Sequence, residues 1–105
     1  MHKFLQSIEK EYRDYKAEML HKEPEQIWDR CCEIYFYNSF HEYFLYNEAI
    51  SYVVANKLGE CENIISGCWD VYLKNEELSI LSWADMDELI ERYLQKEGDK
   101  EHGNG

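Results

Sequence analysis

One proline, Pro24, and two glycines, Gly59 and Gly67, are the only strong backbone breakers before Gly98. So little punctuation, in a chain rich in Glu, Lys and Leu and without any sustained apolar–polar alternation, argues for helices and against strands. The expected fold is all-α: a compact, orthogonal or bundle-like domain of five or six short helices over residues 1–97, followed by a disordered tail over 98–105. At 105 residues the chain suits one domain with a small core, burying roughly 65% of its unfolded surface.

The periodicity places the helices. Leu5, Ile8, Tyr12, Tyr15 and Met19 recur at spacings of three and four, which predicts an amphipathic helix from Phe4 to His21. Such a stripe suits either packing within the domain or a coiled-coil seam. Pro24 fits a first helical position, where its missing N–H is not needed, and Glu25 favours the positive end of the helix dipole. The second helix runs on through Ile27, Trp28, Cys31, Ile34 and Tyr35. Ser39 and Glu42 have capping-box spacing, which predicts a stop and a restart there, with a short helix from Phe40 to Tyr46; one long kinked helix is the alternative. Asn47 is expected to cap a helix from Glu48 to Lys57, and Gly59 to end it in the left-handed conformation. A fifth helix is expected from Glu60 to Asn75, buried through Ile64, Ile65, Cys68, Trp69 and Tyr72, with Gly67 marking a close helix crossing. Ser82 and Asp85 predict the start of a sixth, from Trp83 to Lys96.

Charge narrows the choice of partners. There are 22 acids against 11 Lys and Arg, a net charge of −11. The excess grows along the chain: +1 over residues 1–22, −4 over 23–58 and −8 over 59–105. Each phosphate of a nucleic acid would meet repulsion, so direct binding to nucleic acid is disfavoured. No apolar run nears the ~18 residues that a bilayer span needs, and the first residues lack the apolar stretch of a signal peptide. Neither a membrane nor an export route is expected, and the expected location is a cytoplasm, the chain's own or a host's.

Two features suggest a contact surface. Seven aromatics fall between Tyr35 and Tyr46, more than one helical stripe can bury. Those left outside would be natural contact residues, with Tyr37, Tyr43 and Tyr46 the candidates; amphipathic core packing with wet hydroxyls is the alternative. The second feature is acidic: Asp85, Asp87, Glu88 and Glu91 on the sixth helix, with Glu76 and Glu77 just before it. Negative charges at intervals along a rigid helix imitate a phosphate backbone and suit a basic channel, although a solvated face has the same composition.

Signals for catalysis are few. There is no phosphate-binding glycine loop, nucleophile elbow or paired-histidine zinc motif. His41, with Glu42 or a cysteine, is the one combination suited to acid–base work, and its alternative is a rim histidine near a helix start. Cys31, Cys32, Cys61 and Cys68 form no C-x-x-C pair, and Cys31 and Cys32 would point about 100° apart on a helix. They are expected to be reduced, half-buried apolar residues, with a disulfide or zinc site as the alternative. No cofactor is expected.

Glu23-Pro24-Glu25-Gln26-Ile27, Glu33-Ile34-Tyr35 and Phe40-His41-Glu42-Tyr43, then Trp69-Asp70-Val71-Tyr72-Leu73-Lys74-Asn75 and Asp85-Met86-Asp87-Glu88-Leu89-Ile90, together resemble small acidic domains of unknown function encoded in Firmicutes genomes, often on mobile elements. Cys31-Cys32 and the aromatic run depart from that pattern. The resemblance implies no catalytic residues. It does imply a part in conflict between mobile elements and host, including inhibition of a defence nuclease. The reading that follows is a non-enzymatic interaction module for a protein with a basic surface, in its sharper form an inhibitor or nucleic-acid-mimicking decoy. A homo-oligomeric structural or assembly protein, with the first helix and the aromatic run as a homodimer seam, is the alternative.

Overall fold

The computed structural model describes residues 2–47, 50–75, 77–80 and 82–103, the last five of these and residue 2 by their backbone alone. Six α-helices and no strand occur among the described residues: α1 (His2–Leu20), α2 (Pro24–Asp29), α3 (Cys31–Tyr46), α4 (Tyr52–Gly59), α5 (Ile64–Lys74) and α6 (Trp83–Gly103). The all-α expectation holds, and several boundaries move for identifiable reasons.

Helices α1 and α3 run antiparallel and are joined by aromatic pairs. Phe4 meets Phe44 edge-on at 5.8 Å, Tyr12 stacks on His41 at 3.9 Å, and Tyr15 stacks on Tyr37 at 3.7 Å. The predicted α1 stripe faces inward, with Phe4 added to it. On α3, Phe36, Tyr37, Phe40, Tyr43 and Phe44 are buried, at the i, i+4, i+7 spacing of one helical face. That face is continuous through Ser39 and Glu42, so the expected restart there does not occur. The break lies at Arg30 instead, whose N–H bonds back to the Ile27 carbonyl at 3.1 Å while its own carbonyl accepts from Ile34 at 2.9 Å. The reason is tertiary: α2 buries none of its side chains, whereas α3 must turn its aromatic face onto α1 and α5.

The connections also differ from the sequence reading. Asn47 ends α3, and α4 starts later, capped by Ser51, whose hydroxyl accepts from the Val54 N–H at 3.2 Å. Glu48, expected to open α4, lies outside the described residues. Gly59 stays in a right-handed conformation, and no described glycine has a positive φ. The left-handed residue is Asn63, at φ 55°, just before α5. Asn is one of the few side chains that tolerate this region, but the geometry removes it from the usual capping position. Glu11 replaces it from across the fold. Its carboxylate oxygens accept from the Ile65 and Ser66 N–H groups, each at 2.9 Å. A carboxylate on the first free N–H groups of a helix is stabilising both as a hydrogen-bond acceptor and against the dipole. Glu11→Ala should therefore lower stability by about 1–2 kcal/mol, read as a reduced urea midpoint at unchanged m-value. An unchanged midpoint would mean that water caps α5 equally well.

The reciprocal cap on α6 forms as expected: the Ser82 N–H donates to Asp85 at 3.1 Å, and the Asp85 N–H to the Ser82 hydroxyl at 3.2 Å. The far end differs. Helix α6 continues to Gly103 through the segment expected to be disordered. Lys and Glu are good helix formers, and Gly98 alone offsets them by roughly 1 kcal/mol. Asn104 and Gly105 lie outside the described residues.

Candidate interaction surface

Tyr43 is the pivot of this surface. It leaves α3 on the buried face, and its ring packs edge-on against Phe44 at 5.0 Å and against Trp83 at 5.9 Å. Its hydroxyl donates to Asp87 on α6. Burial, with the Asp87 carboxylate second, pushes the Tyr43 phenol above its ordinary value near 10. Tyr43 thus ties the start of α6 to α3, its ring against Trp83 and its hydroxyl on Asp87.

Of the three candidate tyrosines, only one is free to touch a partner. Tyr37 is 6% and Tyr43 2% exposed, whereas Tyr46 is 66% exposed. The first two are corrected to core residues: Tyr37 is stacked on Tyr15 and Tyr43 is packed as above. Trp83, 48% exposed beside Tyr43, is an exposed aromatic that the sequence does not single out. In sequence it stands three residues before Met86 and seven before Ile90, the spacing of the buried stripe itself, so periodicity gives no signal of its exposure.

The candidate acids do not share one face. Asp85 is committed to the α6 cap and also accepts from the Ser79 hydroxyl at 2.8 Å. Glu77 and Glu88 converge on Arg92, at 2.8 Å and 3.4 Å, so one guanidinium offsets both. The Glu77 carboxyl is held below its usual range by its own backbone N–H and then by Arg92. Asp87 and Glu91, one turn apart, line a groove on the α4 side, whereas Glu88 and Arg92 line a second groove on the α5 side, which Glu91 also borders. Glu76 lies outside the described residues.

The residues considered for chemistry are spread apart. His41 sits mid-helix rather than at a helix start. It is half-buried, and its Nε2 lies 2.7 Å from a Glu9 oxygen, with Glu9 rather than Glu42 as partner. Tyr12, stacked on that imidazole, donates to Asn38 at 2.6 Å. None of the four cysteines is in a disulfide. Cys31 and Cys32 are exposed rather than half-buried, because nothing covers the start of α3 on that side. Cys61 donates to the Lys57 carbonyl at 3.3 Å, and burial pushes the Cys68 thiol up. No three metal-ligating side chains converge among the described residues. No helix among them is long and apolar enough to cross a membrane.

No protein family, curated protein or solved structure matches this chain.

Proposed function

We propose that this chain is a non-enzymatic, acidic interaction module that binds the basic surface of a partner protein. The observation that carries this reading is the juxtaposition at Tyr43. Exposed Trp83 packs on the Tyr43 ring, the hydroxyl of that ring is held by the Asp87 carboxylate, Glu91 stands one turn further along α6, and exposed Tyr46 lies one turn beyond Tyr43 on α3. Aromatic anchors supply short-range burial on binding, and the acids supply orientation and on-rate. In its sharper form the partner is a nucleic-acid-binding protein, and the module is its inhibitor or a decoy for its nucleic acid. The resemblance to acidic Firmicutes domains carried on mobile elements supports an anti-defence setting, and we place the module in a cytoplasm, its own or a host's.

The rival reading, a homo-oligomeric assembly protein, draws on Trp28, which is 78% exposed on a helix that buries no side chain. The −11 charge opposes it, because like copies repel.

Salt separates charge-driven binding from the alternatives. The screening length falls from about 10 Å at 0.1 M salt to about 3 Å at 1 M. A partner captured from host lysate at low salt should be released at high salt. Trp83→Ala should then weaken the purified complex at least roughly tenfold, about 1.4 kcal/mol. Binding indifferent to salt would sink the proposal. A dimeric mass at micromolar concentration with no partner captured would favour assembly.

A further inference from the structure

The same surface opens into a groove that narrows the class of partner. Helix α4 packs on α1, burying Ala55 and Leu58, while α6 packs on α5 and α3. The two helices are not closely packed on each other, and a groove of about 710 Å³ lies between them. Tyr43, Ile50, Val54, Ile90 and Leu94 give it an apolar lining. The α6 wall carries Asp87 and Glu91, and the α4 wall carries Lys57. Apolar side chains between two helical walls are what a third helix needs in order to bury one face.

Resting on the interaction-module reading above, we infer that this groove docks one amphipathic α-helix of the partner, with apolar residues at i, i+3 or i+4, and i+7 and with Lys or Arg on the flank that meets α6. Three observations select this occupant. Both walls are helices whose backbone groups are already paired internally, so no sheet edge is offered to an extended peptide. The α6 wall belongs to the segment of net charge −8, so a basic flank is complementary and an acidic one is repelled. A second copy of this chain fits poorly: α1 already buries its apolar stripe, and α2 has six residues, under two turns. Lys57 on the opposite wall makes the groove asymmetric in charge, and this sets the direction in which the docked helix lies.

Two synthetic peptides of about 18 residues, long enough to form a helix, test the inference on the full chain at low salt. One carries leucines at helical spacing with lysines on one flank. The other has the same composition in scrambled order. By fluorescence anisotropy the patterned peptide should bind at least about tenfold tighter, a difference of about 1.4 kcal/mol. Its binding should shift the amide resonances of Val54, Ile90 and Leu94. The variant Glu91→Lys with Gln95→Lys, at two exposed groove positions, should weaken it at least about tenfold. Glu25→Lys with Glu42→Lys, away from the groove, should change it less than about twofold.

Equal affinity for both peptides, with both charge reversals equally damaging, would overturn the groove and leave the broader acidic-surface reading standing. Resonance shifts confined to another face, or no binding of either peptide, would also overturn the groove. The salt-sensitive capture and the Trp83→Ala result decide the broader reading independently.

Discussion

Phe36→Ala should lower stability by about 3–5 kcal/mol, the usual range for deleting a buried phenyl ring. Phe36 is fully buried at the junction of α3 and α5, with Phe40, Trp69 and Tyr72 at ring separations of 4.7, 5.0 and 5.5 Å. Alanine would leave three rings facing a void that rigid neighbours close only in part, and favourable ring pairings would be lost besides. A domain of this size is held by only about 5–15 kcal/mol in total. The expected result is a fall in Tm of roughly 12–40 °C, at about 4–8 °C per kcal/mol. Thermal and urea unfolding followed by circular dichroism would measure it. A loss under about 1 kcal/mol would mean that the ring cluster does not close the α3–α5 interface.

Gly67→Ala gives the second large effect, and its sign is informative. Helix propensity alone favours alanine at an interior helical position by roughly 1 kcal/mol. At Gly67, however, a Cβ would stand 2.3 Å from Tyr93 Cε1 and 3.0 Å from its Cδ1. Tyr93 is buried on α6 and its ring is enclosed, so it has no room to yield. Inserting a methyl group there forces α5 and α6 apart. The overpacking term, at the upper end of about 1–3 kcal/mol or beyond it, outweighs the propensity gain. Net destabilisation of about 2 kcal/mol is expected, and a stabilised variant would refute the close crossing. Adding Tyr93→Leu should make the double variant more stable than the sum of the two single losses predicts, because the contact that clashes is removed.

Gly67 also illustrates what could be read without the structure. A lone glycine inside a helical stripe has few explanations, and a close crossing is the expected one. The Pro24 start, the Ser82–Asp85 cap and the α1 stripe were readable for similar reasons, since each depends on neighbours within four residues. Readings that depended on distant residues failed. Ser39 and Glu42 have the spacing of a capping box, yet the aromatic face of α3 runs straight through them because α1 and α5 supply partners on both sides. Gly59 resembles a left-handed cap, but the left-handed turn is made at Asn63. Nothing near α5 in sequence announces that its N–H groups are covered by Glu11, 54 residues earlier than Ile65.

The candidate surface divides along the same line. Sequence alone implied that some aromatics of the 35–46 run must lie outside. It could not say which, because Tyr37, Tyr43 and Tyr46 lie six and three residues apart on one helix and only the packing of α1 and α6 separates core from rim. The acids of α6 were visible as a group. Their division was not: Asp85 to a cap, Glu77 and Glu88 to Arg92, and Asp87 and Glu91 to the groove.

The sequence by itself determined that this protein is helical and acidic, because backbone breakers, periodicity and charge are properties of composition and near neighbours. Only the tertiary structure decided where the helices break, which tyrosine reaches solvent and where a groove opens. These depend on which apolar faces meet, and burial energy acts between residues that are close in space, however far apart they lie along the chain.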